Sequence, residues 1–170
     1  MPADPIQAAV LCIFPAMVIA AGLYDITTFT IPNWISVALG LAFIPAAFLT
    51  GSSWTEVGLC VAVGLGCFVL AVGMFAMNWI GGGDAKLMAA AGLWLGWPEV
   101  IRYLVFTGLA GGVLAVSLLA LRSAWLRRYA AAGPSWMGRL ATPGGSAPYG
   151  VAIAVGALAV FPFSPLLHAG

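Results

Sequence analysis

The stretch "NWIGGGDAKLMAAAGLWLG", residues 78–96, sets three glycines ahead of Asp84, then Lys86, then a run that is almost wholly apolar. Ionised side chains are expensive inside a bilayer, and the text on either side of this stretch reads as membrane. A carboxylate at the head of such a helix needs either a partner or a task.

The wider composition sets the class. The 170 residues are 63% hydrophobic and 6% charged, with a mean hydropathy of +1.09. A soluble domain carries roughly a quarter charged residues. So few charges cannot cover a water-exposed surface, which excludes a soluble enzyme or binding module. The apolar runs are long and unbroken rather than alternating, which excludes a transmembrane barrel. The expected fold is all-α: a polytopic membrane protein with about six transmembrane helices, at residues 6–24, 34–49, 57–80, 84–95, 100–121 and 149–167. Residues 1–170 read as a single integral membrane domain without internal repeats.

The breaks between runs are turn-like. They are "TGSSWTE" (50–56), "GWPE" (96–99) and a long Gly-, Pro-, Ser- and Arg-rich connection at about 122–147, read as a surface loop. No Lys or Arg precedes the first run, so it reads as a retained helix rather than a cleaved signal. Cys12, Cys60 and Cys67 form no C-x-x-C pair and read as small buried hydrophobes, so no metal site and no cofactor is expected. A net charge of +1 gives no basis for nucleic-acid binding.

Orientation follows from the basic residues. Arg122, Arg127, Arg128 and Arg139 all lie in the long loop, which the positive-inside rule puts in the cytoplasm. Counting back, the three-glycine turn and the linker 25–33 are cytoplasmic, and both termini face outward. Asp25 and Asp84 then share one end of the molecule. Asp4, Glu56 and Glu99 fall at the opposite boundary and read as solvated surface charges. Lys86 lies roughly opposite Asp84 on its helix, suited to lipid headgroups or a substrate.

A helix over 84–95 would span about 18 Å at 1.5 Å per residue, against a hydrocarbon core of about 30 Å. The glycine turn is therefore expected below the membrane surface, with Asp84 recessed in a pocket. Leu87, Met88 and Ala91 share the face of Asp84. Val18, Ala21 and Gly22 lie behind Asp25, small enough for close helix packing. Two carboxylates in one low-dielectric pocket cannot both ionise comfortably, and share a proton. Such a pair can activate water against a peptide carbonyl. Position alone leaves three readings open: a proton relay or proton-coupled transporter, a structural helix cap, or a hydrolase.

Three stretches in order narrow the choice. "YDITTFTIPNW" (24–34), "GGGDAKLMAAAGLWLG" (81–96) and "APYGVAIAVGAL" (147–158) together resemble the prepilin peptidases, membrane aspartic proteases with a G-x-G-D motif. The resemblance implies that Asp25 and Asp84 are the catalytic pair, that Gly81 and Gly83 shape the turn, and that Pro148, Tyr149 and Gly150 lie near the site. Lys86 matches a family position without an assigned role here. The short link from Asp25 to Trp34 lacks the cysteine-rich segment of the larger enzymes, which argues against a methyltransferase activity. The size is similar to the compact, peptidase-only Flp or tight-adherence branch, related to archaeal preflagellin peptidases. The implied substrates are prepilins and pseudopilins, the implied setting the bacterial inner membrane, and the implied associates membrane lipid and the pilus assembly machinery. The alternative from another class is a small proton-coupled transporter. Against it, the helices carry no acid midway across.

Overall fold

The computed structural model describes residues 5–123, 135–142, 145 and 147–168. Within them the chain is helical, with no strand. The helices are α1 (Pro5–Leu11), α2 (Ile13–Thr28), α3 (Asn33–Leu49), α4 (Trp54–Ala76), α5 (Gly82–Leu95), α6 (Glu99–Leu121), α7 (Ser135–Leu140), α8 (Tyr149–Val160) and α9 (Pro165–His168). A 3-10 turn, Phe161–Phe163, joins the last two. Four stretches are long and apolar enough to cross a membrane: Pro5–Thr28, Trp54–Ala76, Glu99–Leu121 and Tyr149–Leu167. The remaining two expected segments are shorter helices, α3 with 17 residues and α5 with 14.

The short α5 is the centre of the bundle. It packs most extensively on α4, then on α3 and α8, and touches α2 and α6. Helices can lie that close because the contacting stripes are small. Cys60, Gly64, Cys67 and Ala71 form the buried stripe of α4, at spacings of four, three and four residues. Such spacing keeps one helical face against the neighbour, where small side chains admit close packing. On α2 the buried stripe is Phe14, Val18, Ala21, Gly22 and Asp25. The far end of α5 is held by Trp94, which is fully buried, stacks near Phe14 at 5.2 Å and donates its indole N–H to the Leu39 carbonyl at 2.9 Å.

Several boundaries differ from the sequence expectation. The first helix does not stop at residue 24. The Thr27 and Thr28 hydroxyls bond back to the carbonyls of Leu23 and Tyr24 at 2.6 and 2.7 Å, and the helix runs through Asp25 to Thr28. Phe29 ends it in the left-handed region, φ 59°, with its N–H on the Asp25 carbonyl. The same helix is interrupted at Cys12, where Pro15 has no N–H for the preceding turn. α4 begins at Trp54 because Ser53 and Glu56 form a reciprocal capping box. It ends before residue 80, at a turn in which Asn78 is left-handed. The last helix gives way at Phe161, next to Pro162.

Three further expectations change. The 122–147 connection is not wholly a loop, since it contains α7. Arg122 donates to the Leu140 and Gly145 carbonyls, and Arg139 donates to the Thr27 carbonyl and lies over the Phe29 ring. These two arginines bind the chain's own backbone. Arg127, Arg128 and Asp4 lie outside the described residues. Glu99 is not a solvated surface charge, because it is buried and bridges Arg102 at 3.0 Å. Cys60 and Cys67 are buried as expected, but Cys12 is exposed.

Candidate active site

Two connections deliver the acidic side chains to one place. Asp25 projects from the last full turn of α2 and is 4% exposed. Asp84 sits in the first turn of α5 and is 7% exposed. α8 closes the space between them. The Gly150 N–H donates to Asp25 Oδ2 at 2.7 Å and lies close to the Asp84 carboxylate. The two acids are near enough that Asp84 acts directly on the charge of Asp25. A pair of carboxylates 59 positions apart in the chain thus faces a single backbone amide.

Asp84 divides its two oxygens between two roles. Oδ2 accepts the Gly81 N–H at 3.0 Å, which caps the start of α5. Oδ1 is buried and has no hydrogen-bond partner among the described residues. Buried polar atoms are nearly always bonded, and an orphan costs about 1–3 kcal/mol. A carboxylate serving only as a cap would not need burial with one oxygen empty beside a second acid.

The glycines and the "TIPN" text make this approach possible. A Cβ on Gly83 would sit 3.0 Å from Ile31 Cβ and 3.2 Å from the Ile31 carbonyl oxygen. A Cβ on Gly150 would sit 2.7 Å from Ile31 Cδ1 and 2.8 Å from Asp25 Oδ2. Ile31 is therefore a wedge that touches both glycines, each next to a residue of the pair. Pro32 follows as the N-cap of α3. Asn33 then accepts a hydrogen bond from Lys86 Nζ at 2.8 Å, tying α3 to α5. Lys86 is exposed and points away from Asp84, in keeping with its helical phase.

The remaining site residues fall into two groups. Gly81 caps α5 and meets Asp84, and Pro148 is fully buried at the head of α8. Tyr149 does not join them. Its ring packs at Gly111 of α6 and lines a cavity of about 450 Å3 with Met74, Met88 and Thr107. Ile31 and Asn33 stand in the sequence only as letters of the quoted motif, with no role assigned, and Arg139 only as a charge that sets orientation. No group of His, Cys, Asp and Glu among the described residues could hold a metal ion.

A family model described as the type IV leader peptidase family matches residues 12–116, more than half of the chain. The chain belongs to the type IV leader peptidase family. The match takes in Asp25, the I-P-N stretch and the whole of α5, and ends before Pro148. As a member of this family the protein is a membrane-embedded leader peptidase, with prepilins as its general class of substrate. No curated protein and no solved structure matches the chain.

Proposed function

We propose that this leader peptidase is an aspartic endopeptidase in which Asp25 and Asp84 work as one unit on a water molecule. The observation that carries the reading is the pair itself: two buried carboxylates from different helices at one amide, with Asp84 Oδ1 unoccupied by any donor among the described residues. Two adjacent carboxylates hold one proton between them. The ionised member takes a proton from the attacking water while the protonated member donates to the scissile carbonyl oxygen. The Gly150 N–H holds Asp25 Oδ2 in place at 2.7 Å, so the geometry does not depend on a mobile side chain. No cofactor enters this chemistry.

The positive-inside reading puts the pair at the cytoplasmic face, with both termini outside. Prepilins carry a basic leader followed by an apolar helix, so their scissile bond would lie at that interface. The compact size and the short link from Asp25 to Trp34 favour Flp-type pilins and pseudopilins of the bacterial inner membrane as substrates, without N-methylation. Residues 1–170 then form one peptidase domain. Gly81, Gly83, Pro148 and Gly150 shape the site. The transporter alternative gains no support, because the described acids cluster at the two ends of the helices.

The test is co-expression with a tagged Flp-type prepilin, read by gel shift and N-terminal sequencing. Cleavage after the leader glycine by the wild type, lost in membrane-inserted Asp25→Asn and Asp84→Asn, is the expected result. Processing by both variants at wild-type level would remove the proposed unit.

A further inference from the structure

A groove on the opposite side of α5 has no part in this chemistry. α3 and α4 both pack on α5 and leave between them a cavity of about 410 Å3. Its apolar walls are Val37 and Gly40 from α3, and Leu65 and Phe68 from α4. These side chains are well exposed, with Val37 at 58% and Leu65 at 61%, so the groove opens sideways into the bilayer. From Lys86 to Leu93 its floor runs along α5 for about 10 Å at 1.5 Å per residue, enough for the upper part of one acyl chain.

The polar end of the groove is electrostatically incomplete. Lys86 lies at its lining, and its ammonium group bonds to the neutral amide oxygen of Asn33. No carboxylate lies within ion-pair distance of Lys86 among the described residues. Asp84 and Asp25 face the other side of α5, and Glu56 is at the far end of α4. One turn along α3 from Asn33, Ser36 also lines the groove. A fixed cation at the mouth and an apolar channel below it reproduce in order the phosphate and the chain of a phospholipid. We infer that this groove binds one anionic phospholipid, with its phosphate on Lys86 and an acyl chain along Val37, Gly40, Leu65 and Phe68. The inference is independent of whether Asp25 and Asp84 are catalytic.

The experiment is native mass spectrometry of the full chain, stripped of lipid in a non-ionic detergent. The protein is then titrated with phosphatidylglycerol or phosphatidylcholine of identical chains. The wild type is expected to retain one phosphatidylglycerol with a preference of about fivefold, the scale of one basic side chain at an anionic surface. Lys86→Gln should abolish the preference. Gly40→Leu, whose Cβ meets nothing within 4 Å, should fill the channel and lower retention of both lipids. Equal retention of the two lipids by wild type, or an undiminished preference in Lys86→Gln, overturns the inference. Competition by glycerol 3-phosphate as effective as by the lipid would overturn the role of the channel. A dimer that both variants dissociate would assign the groove to a second copy instead.

Discussion

The two ends of the bundle treat their acidic residues differently. At one end Glu56 is held in a capping box with Ser53, and Glu99 bridges Arg102 at 3.0 Å. Each has a local partner three residues away in the chain. The same end of α5 is closed by Trp94, whose one polar hydrogen is satisfied by Leu39. At the other end Asp25 and Asp84 are buried together at the Gly150 amide, and among the described residues no cation pairs with them and Asp84 Oδ1 has no donor. Glutamates that are locally paired stabilise helix ends. Aspartates that are buried, adjacent and incompletely bonded cost folding energy that apolar residues would not, which is what the proposed reaction would explain.

The sharpest way to break this contrast is to neutralise one acid at each end. Asp25→Asn or Asp84→Asn should lower cleavage of a prepilin by about 10²–10⁴-fold, the range of a lost acid–base group, measured by timed gel shift in membranes. Glu99→Gln should leave that rate unchanged.

A smaller effect is expected where the amide is disturbed and the acids are kept. Gly150→Ala introduces a Cβ 2.7 Å from Ile31 Cδ1 and must push α8 away from Asp25. Loss of a charge-assisted hydrogen bond, about 1.5–3 kcal/mol, corresponds to roughly a ten- to hundredfold slower reaction. Initial rates at saturating substrate would read it. Gly83→Ala presses on Ile31 from the other side and should cost about 1–3 kcal/mol in overpacking. A lower midpoint for unfolding in mixed micelles, with a cleavage loss smaller than that of Gly150→Ala, is the expected outcome.

The smallest effect belongs to the glutamate end. Ser53→Ala removes the N-cap of α4 and should cost about 1 kcal/mol of stability. Its prepilin cleavage should match the wild type once the protein is inserted. A cleavage defect there would blur the distinction between the two ends.

Much of this architecture was legible in the sequence. Hydropathy located all six helical segments, and the polar exceptions in apolar text picked out Asp25 and Asp84. Boundaries were less legible where hydroxyls prolong a helix, as Thr27 and Thr28 do, because such hydrogen bonds do not register in hydropathy. The Gly150 amide could not be read as a donor to Asp25, since a backbone N–H has no residue identity and the two are 125 positions apart. The role of Ile31 was hidden for a different reason: the motif marks its letter, but its place as a wedge depends on two glycines from distant helices. The I-P-N stretch thereby gains a physical account, with Ile31 between the glycines, Pro32 opening α3 and Asn33 holding Lys86.

The most direct test of the central claim compares initial cleavage rates of an Flp-type prepilin by Asp25→Asn, Asp84→Asn and the double variant in the same membranes. If the two carboxylates act as a unit, each single variant is as inactive as the double, because removing either partner dismantles the whole. Substantial cleavage by either single variant, with the double variant slower by the product of the two effects, would contradict the account.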